Sequence, residues 1–440
     1  MENHVFKNNW KSDTPKIVRG KGIYLYDKDG KGYIDGSSGS ISSSLAHGRV
    51  DMAETLRKQA ETLAYVTRLT SITPLYEEVS SVLADNTHMD RFFLTSGGSE
   101  AVEVATKIAL SYQRYREKPN KTKILSRWLS YHGCTSHTMS IGGNVARRSD
   151  YISQLTEDGH IAPPLCYHCW FGKERNSCNC ECAEALETEI LMHGPENIAG
   201  FIFETIGGST TGAATPPLEY YKKIREICDK YDVLVIADEI MCGYGRTGKM
   251  LALEHYGIKP DIVVLAKSMG GGYFPVGAVG TTEEVAAPIK AHGSFMGGYT
   301  WGSNPIACAT VIQTTKIIHS ENLLENVTNM GALLKSGLED LMKKHPTLGD
   351  VRGIGLMVCT EFVKDKNTRE SFDPEVNFTG KFINNAREEG LLLNAGSKYN
   401  KGIRGDGALI GPCFEVSKEE IEIIVDRVDK ALSNTEKEVL

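Results

Sequence analysis

Short apolar runs alternate with longer amphipathic stretches from about residue 50 to residue 345 of this chain. Such alternation is typical of a parallel β-sheet with helices packed on both faces. The pattern predicts strands at 91–95, 123–126, 200–204, 233–238 and 262–266, and helices at 99–116, 217–231 and 305–319. We therefore predict an α/β fold in which the central part of the chain builds one large domain around a mostly parallel sheet.

The two ends of the chain carry a different pattern. Residues 13–36 hold alternating apolar positions separated by Asp-Gly turn signals, which predicts short antiparallel strands, and the serine-rich residues 37–44 predict a loop. Later in the chain the pattern predicts helices at 321–345, 375–390 and 417–433, and one strand at 351–363. We predict that residues 1–50 and 326–440 form a smaller α+β domain beside a large domain at 51–325.

The composition is that of an ordinary globular protein, with 41% hydrophobic and 24% charged residues in a chain of 440. A net charge of −7 argues against the basic surface of a nucleic-acid-binding protein, so we expect no nucleic-acid partner. No apolar run has the length needed to span a bilayer, and residues 1–10 lack the apolar stretch of a signal peptide. We expect a cytoplasmic protein that does not bind membranes.

Two of the predicted strands lead to side chains that could do chemistry. One strand ends at Asp238, and the next leads to Lys267, twenty-nine residues later, with Gly270–Gly272 just beyond it. A carboxylate at the carboxyl edge of a parallel sheet lies where α/β proteins bind ligands, although a helix cap would also explain it. Lys267 could be a solvated lysine, but its small neighbours leave room for a planar group. The pair suits pyridoxal phosphate (PLP), with the lysine forming the Schiff base and the carboxylate holding the pyridinium proton.

A third candidate element lies at the start of the helix predicted at 99–116. Residues 95–101 read Thr-Ser-Gly-Gly-Ser-Glu-Ala, and glycines at a helix start let an anion approach the free backbone N–H groups. A plain helix cap explains the same residues. Farther along, the ring of Tyr131 in Tyr-His-Gly could stack on a cofactor ring or simply pack in the core.

Together these blocks resemble the class III aminotransferases, PLP enzymes of fold type I, over nearly the whole chain. The most specific part is Asp-Glu-Ile-x-x-Gly-x-Gly-Arg-Thr-Gly from Asp238 onward, combined with the block around Lys267. The resemblance implies a large domain with a mostly parallel, seven-stranded type of sheet, and PLP as the cofactor. It also implies a homodimer with shared active sites, with a tetramer as the alternative.

The resemblance further implies a role for each matching residue. Lys267 is the Schiff-base lysine and the catalytic residue. The implied cofactor contacts are Gly98 and Ser99 at the phosphate, Tyr131 (with His132 beside it) and Ile240 on the two ring faces, Asp238 at the ring nitrogen, Glu204 in support, and Thr300 at the phosphate of the neighbouring subunit.

The substrate side of the resemblance is less regular. Ser209 stands where ornithine- and GABA-type members carry a glutamate that holds a switchable arginine, which disfavours those two activities. Ser303 takes a place that is usually glycine. Arg404 is the nearest candidate for an arginine that binds the substrate carboxylate, and Ser40 and Ile41 align with a loop that lines the family's substrate pocket.

The activity implied by the resemblance is transfer of an amino group from a primary amine or ω-amino acid to pyruvate or 2-oxoglutarate. The expected kinetics are ping-pong, through pyridoxamine phosphate. An aminomutase or amino-acid epimerase on the same scaffold is the alternative. A nucleotide-binding oxidoreductase is disfavoured, because no Gly-x-Gly-x-x-Gly closes a first strand with an acidic residue about 20 positions later.

Eleven cysteines are present, and five of them cluster between residues 166 and 182 as Cys-x-x-Cys and Cys-x-Cys-x-Cys. The other six look like small buried hydrophobic residues. The cluster could bind zinc through thiolates, which would suit an interaction protein built on a dead enzyme. We favour a structural loop without a metal, because the second half is not a Cys-x-x-Cys pair.

Overall fold

The computed structural model describes residues 4–7, residue 10 and residues 14–440. Half of the N-terminal decapeptide and the first residue of the 13–36 segment therefore lie outside the described residues. Among the helices that the structure does describe, none combines the length and the apolar character needed to cross a membrane.

The described residues form strands and helices with the following bounds. The strands are β1 (Ile17–Lys21), β2 (Tyr24–Asp27), β3 (Gly32–Asp35), β4 (Arg91–Thr95), β5 (Lys123–Arg127), β6 (His160–Ile161), β7 (Ile198–Glu204), β8 (Leu234–Asp238), β9 (Ile262–Leu265), β10 (Gly277–Thr281), β11 (Leu348–Gly353), β12 (Val358–Phe362), β13 (Leu391–Leu392), β14 (Asn394–Asn400) and β15 (Arg404–Ile410). The α-helices are α1 (Ser38–Ile41), α2 (Val50–Thr62), α3 (Pro74–Thr87), α4 (Gly98–Tyr115), α5 (Ser136–Ile141), α6 (Val145–Arg148), α7 (Glu181–His193), α8 (Leu218–Lys230), α9 (Glu283–His292), α10 (Pro305–Ser320), α11 (Leu323–Lys344), α12 (Phe378–Glu388) and α13 (Lys418–Val439). Short 3₁₀ helices cover Ser149–Gln154, Pro195–Asn197, Ala252–Tyr256, Lys267–Gly270 and Pro374–Val376.

A seven-stranded sheet forms the centre of the molecule, in the order β4-β10-β9-β8-β7-β5-β6. Neighbours from β9 to β6 run parallel, and β10 runs antiparallel to both β4 and β9. The predicted α/β fold with a mostly parallel seven-stranded sheet is therefore confirmed. The sequence analysis missed β6 and β10, and β10 reads Gly-Ala-Val-Gly-Thr, which shows neither alternation nor a strongly apolar run.

The strands at the middle of this sheet are continuous apolar runs because helices cover both faces. Every residue of β7 and of β8 is buried, as expected for strands without a solvent-facing side. The helix α8 shows the complementary pattern, since it buries one face that includes Tyr221 and Ile224 and exposes the other.

The two ends of the chain meet in a smaller sheet of order β1-β2-β3-β13. The late strand β13 pairs in parallel with the early strand β3, with Leu391 opposite Ile34. A second small sheet, β11-β12-β15-β14, is antiparallel. The helix α11 runs through the boundary predicted at residues 325 and 326, so the domain limits themselves stay a prediction.

One strand prediction and one loop prediction were wrong in detail. Residues 351–363 belong to two antiparallel strands, β11 and β12, joined by a turn. Gly353 (φ 136°) and Gly355 (φ 58°) lie in the left-handed region that favours glycine, and they let the chain reverse. The serine-rich segment 37–44 contains the short turn α1.

Candidate active site

Strand register brings the predicted chemical groups to one edge of the central sheet. Glu204, the last residue of β7, pairs with Asp238, the last residue of β8. Asp238 pairs in turn with Val264 of β9, three residues before Lys267. Because these strands are parallel, all three side chains lie at the carboxyl edge, where α/β proteins place their ligands.

A cavity of about 350 Å³ opens at this edge. Eight of the predicted site residues line it: Gly98, Ser99, Tyr131, His132, Glu204, Asp238, Ile240 and Lys267. Four predicted residues are not among its lining: Ser40, Ile41, Thr300 and Arg404. The structure therefore brings together the predicted cofactor-binding set, apart from the residue expected to serve the neighbouring subunit.

The amine of Lys267 is prepared to act as a nucleophile. Burial disfavours the charged ammonium and lowers the pKa of Lys267 to about 8. The negative charges of Asp238 and Glu204 act in the opposite direction and raise this pKa, but burial has the larger effect. Within the described part of the chain, Lys267 forms no hydrogen bond or ion pair that would hold the amine elsewhere. Its backbone has φ 45°, an unusual conformation for a residue with a side chain, at the first position of the 3₁₀ helix Lys267–Gly270.

The carboxylate of Asp238 is held from two sides. Its Oδ2 accepts a hydrogen bond from His132 Nδ1 at 2.8 Å, and its Oδ1 accepts one from the Ile240 backbone N–H at 3.0 Å. Its carboxylate oxygens retain lone pairs for a further donor. Asp238 is therefore oriented and only 3% exposed before any ligand arrives.

Glu204 ties the Tyr131 loop to the sheet. Its carboxylate accepts hydrogen bonds from the backbone N–H groups of Gly208 (2.9 Å) and Tyr131 (3.3 Å). Burial raises the pKa of Glu204 above its ordinary value. The guanidinium of Arg147 lies 4.7 Å from the centre of the Tyr131 ring, which fixes the ring at the cavity wall.

The start of α4 forms a cradle with the shape and polarity that suit a phosphate. This 18-residue helix begins at Gly98 and directs free N–H groups and its positive end toward the cavity. A Cβ atom on Gly98 would lie 2.9 Å from Ile240 Cδ1, and one on Gly133 would lie 2.7 Å from Ser99 Oγ. Ser99 Oγ already accepts a hydrogen bond from the Cys134 N–H at 3.2 Å. The glycines thus permit a close approach that any side chain would block.

Thr300 lies on an exposed segment. Its backbone carbonyl accepts a hydrogen bond from Tyr65 Oη at 2.9 Å. Ser303, in the place where a glycine is usual, adopts φ 61° and thus takes a glycine-like conformation despite its side chain.

The three predicted substrate residues are not among the residues that line the cavity of their own chain. Arg404 stands at the exposed start of β15, and its guanidinium pairs with Asp373 at 2.9 Å. Ile41 is fully buried in an apolar cluster with Leu129 and Met357 rather than facing the cavity. Ser40 is exposed. None of the three lines the cavity of its own chain, and substrate contact by Arg404, Ser40 and Ile41 stays a prediction.

Seven further cavity residues were not predicted from the sequence, namely Ser42, Ile206, Met241, Cys242, Phe274, Pro275 and Val276. Met241 and Cys242 follow Ile240 directly, and Phe274 follows the glycines after Lys267. Their position beside predicted site residues is the sequence signal by which they could have been identified.

The cysteines separate into two groups, as expected, with one exception. Of the six isolated cysteines, Cys134 is exposed and the remaining five are buried, so the prediction of burial was wrong for Cys134. The five clustered cysteines border a small cavity of about 20 Å³. Nowhere in the described residues do three His, Cys, Asp or Glu side chains converge in a way that could hold a metal ion.

These observations fit PLP at every point of contact. The cradle at α4 suits the phosphate, the oriented carboxylate of Asp238 suits the ring nitrogen, and the unpaired amine of Lys267 suits the aldehyde. The fold and the site together define a PLP-dependent enzyme of fold type I.

Comparisons with known proteins give the family. The family described as Aminotransferase class-III matches residues 7–432, and the chain belongs to it. A taurine–pyruvate aminotransferase of Bilophila wadsworthia is 35% identical over 442 residues, covering 97% of this chain and 94% of the relative. Gamma aminobutyrate transaminase 2 of Solanum lycopersicum is 33% identical and covers 99% and 95%. The crystal structure of the ω-transaminase of Pseudomonas jessenii in complex with PMP matches with a TM-score of 0.91 at 31% identity, covering 99% and 97%.

Proposed function

We propose that this aminotransferase moves an amino group from a primary amine or ω-amino acid to a 2-oxo acid, either pyruvate or 2-oxoglutarate, with ping-pong kinetics. The observation that carries the proposal is the placement of the Lys267 amine and the Asp238 carboxylate in one cavity beside the phosphate cradle. When bound there, PLP supplies an electron sink for the pair released as the substrate carbon loses its proton.

The side chains divide the remaining work between them. With its amine free, Lys267 would take a proton from the carbon that bears nitrogen and could return it, because its pKa of about 8 lies near neutral pH. Asp238 and His132 keep the ring nitrogen protonated through their hydrogen-bonded pair. Ile240 and Tyr131 limit how far a planar ring can move.

The cavity supports amine donors with an apolar body. Ile206, Met241 and Phe274 contribute apolar surface, and Lys267 is the single lysine or arginine among the described lining residues. Relatives named for taurine–pyruvate and gamma-aminobutyrate transamination support ω-amino donors. Ser209 lacks the carboxylate that would hold a switchable arginine, which weighs against gamma-aminobutyrate as the amine donor.

A homodimer with shared sites is part of the proposal. Near Thr300, the large apolar side chains of Met296 (88% exposed) and Trp301 (57% exposed) face outward, as does Leu69 (89% exposed). Such apolar exposure is typical of a surface that a partner covers. A second copy would cover this surface and bring its Thr300 to the phosphate cradle.

Mixed dimers test the sharing of sites. Lys267→Ala and Thr300→Ala are each purified, then mixed under conditions that exchange subunits. If sites are shared, one site in each mixed dimer has both residues intact, and activity rises above that of either variant alone. Mixed dimers that are no more active than the two variants alone would exclude the arrangement.

A panel of amine donors with pyruvate or 2-oxoglutarate tests the reaction. The expected result is alanine or glutamate formed in proportion to donor consumed, with parallel lines in double-reciprocal plots at several acceptor concentrations. An aminomutase or epimerase would isomerise or racemise its substrate without consuming the oxo acid, and that result would replace the proposal.

A further inference from the structure

A second cleft lies outside the active site, where the cysteine-bearing segment meets the C-terminal part of the chain. Its volume is about 390 Å³, and none of its lining residues also lines the catalytic cavity. Its walls come from the segment before α7, from residues 214 and 215 ahead of α8, from α11, and from β11.

The cleft has an excess of positive charge in an acidic protein. Four cationic side chains line it, Arg175, Lys335, Arg352 and Arg369, against the two carboxylates Glu174 and Asp350. The lining therefore carries a formal charge of +2 (four minus two), although the whole chain carries −7. A concave surface of one sign concentrates ions of the opposite sign.

Two of these cations are already neutralised by carboxylates. Arg352 Nη1 donates to Asp350 Oδ2 at 2.7 Å and to the buried Glu361 Oε2 at 2.6 Å. Arg369 Nη2 contacts both carboxylate oxygens of Glu174 at 3.1 Å. Glu361 also meets His168 Nε2 at 2.6 Å, so this carboxylate is satisfied from both sides.

The other two cations have no carboxylate partner among the residues that the structure describes. Arg175 donates only to backbone carbonyls, to Thr215 at 2.7 Å and to Pro216 at 3.3 Å. Lys335 forms no hydrogen bond or ion pair with any residue that the structure describes. These contacts hold the Arg175 guanidinium in place while leaving its charge available to a ligand.

The backbone behind Arg352 packs closely against its guanidinium. Arg352 Nη2 donates to the Thr211 carbonyl at 3.0 Å, and a Cβ atom on Gly212 would lie 2.6 Å from that nitrogen. Gly212 has φ 57°, so both space and conformation require glycine there. The cleft therefore keeps a defined shape rather than adapting as a loose surface patch would.

We propose that this cleft binds a small dianion, a dicarboxylate or a phosphate, between Arg175 and Lys335. An arginine fork matches a carboxylate or a phosphate, and a lysine supplies a second point charge. The volume admits a dicarboxylate of four or five carbons with bound water. The ligand would join the cysteine-bearing segment to α11 without touching the catalytic cavity.

The test measures binding of succinate and of inorganic phosphate to the holoenzyme by equilibrium dialysis. Lys335→Met removes a charge that has no internal partner, so the fold should be kept, and Arg175→Gln serves as a second variant. The control is Lys343→Met on the same helix α11, where the side chain is 80% exposed and pairs with Asp340. The absorption band of the bound cofactor is followed in parallel, because binding at the catalytic site perturbs it and binding in the cleft does not.

The expected result is binding of succinate, phosphate or both that leaves the cofactor spectrum unchanged. The affinity for the bound anion should fall at least tenfold in Lys335→Met and in Arg175→Gln but not in Lys343→Met. Binding of succinate alone would identify the ligand as a dicarboxylate, and binding of phosphate alone would identify it as a phosphate. Absence of spectrally silent binding for both probes, or unchanged affinity in Lys335→Met, would overturn the proposal. Transaminase activity plays no part in the readout, so the outcome is independent of the proposed reaction.

Discussion

His132 Nδ1 lies 2.8 Å from Asp238 Oδ2, although 106 residues separate the two in the chain. Both side chains are almost fully buried, at 1% and 3% exposure, so the hydrogen bond is shielded from water. It holds the carboxylate in one orientation and stabilises negative charge at the point where a protonated ring nitrogen is expected.

Replacing His132 by Phe removes this donor while keeping an aromatic ring. Hydrogen bonds to charged groups contribute about 1.5–3 kcal/mol, so kcat/KM should fall about ten- to a hundredfold. His132→Gln, which can still donate, should recover part of the loss. Steady-state kinetics check the values, and a His132→Phe enzyme within twofold of wild type would refute a positioning role.

Lys267→Ala should abolish the imine absorption band of the cofactor and lower turnover by about a thousandfold or more, because both the nucleophile and the proton carrier are lost. Lys249→Ala, at an exposed lysine ahead of the site, is the matched control and should leave the band and the activity intact. Spectra and single-turnover assays on both variants provide the measurement.

The rate at which the cofactor-free enzyme combines with PLP should depend on pH. The pKa of Lys267 is lowered to about 8, so the reactive neutral amine increases about tenfold per unit as the pH rises toward 8 and then levels off. Formation of the imine band from pH 6 to 9 gives the profile, with a free primary amine in the same buffers as the reference. A midpoint near 10.5, the ordinary value for lysine, would show that burial does not tune this amine.

Gly133→Ala should weaken cofactor binding. Its Cβ would lie 2.6 Å from Thr138 Oγ1 and 2.7 Å from Ser99 Oγ, and the backbone has φ 140°, so Ser99 must move. Strain of about 1–3 kcal/mol corresponds to a Kd for PLP raised about five- to a hundredfold. Gly293→Ala, where φ is 93° but no atom lies within 4 Å of the new carbon, separates steric displacement from backbone strain and should leave the Kd unchanged.

Glu239 should make stability depend on pH. Burial raises the pKa of Glu239 to about 7 from its ordinary 4.5, despite hydrogen bonds from Thr205 Oγ1 and from the N–H groups of Ala252 and Leu253. The folded protein therefore keeps this proton where the unfolded chain has released it. The stabilisation is complete below about pH 4.5 and is lost as the pH rises to about 7.

Glu239→Gln, which cannot titrate, isolates this contribution. The free energy of unfolding of wild type relative to Glu239→Gln should be larger at pH 5 than at pH 8, by up to about 3 kcal/mol. Urea unfolding of both proteins at the two pH values measures the difference. An equal difference at both values would mean that the carboxyl is ionised throughout.

Much of the site followed from the sequence because each strand end is a local signal. The sequence shows where three apolar runs end, at Glu204, at Asp238 and just before Lys267. Because these strands pair in parallel, their ends meet at the same carboxyl edge of the sheet. The His132–Asp238 hydrogen bond could not be predicted in the same way, since nothing local connects two residues so far apart in the chain.

The misses have physical reasons. The strand β10 reads Gly-Ala-Val-Gly-Thr, which lacks the apolar pattern by which a strand is usually recognised. It forms a strand because it pairs with β4 on one side and β9 on the other, and such pairing cannot be read from the local sequence. The direction of a side chain cannot be predicted from its place in the sequence, because it depends on strand register, and in the structure Arg404 pairs with Asp373.

The pairing of β3 with β13 sets an order of events during synthesis. Ile34 emerges early from the ribosome, and its partner Leu391 is made more than 350 residues later. The first small sheet therefore stays one strand short until residues 391 and 392 are made, by which point every strand of the central sheet has already been made. Truncation just before residue 391 should leave that edge exposed and prone to aggregation.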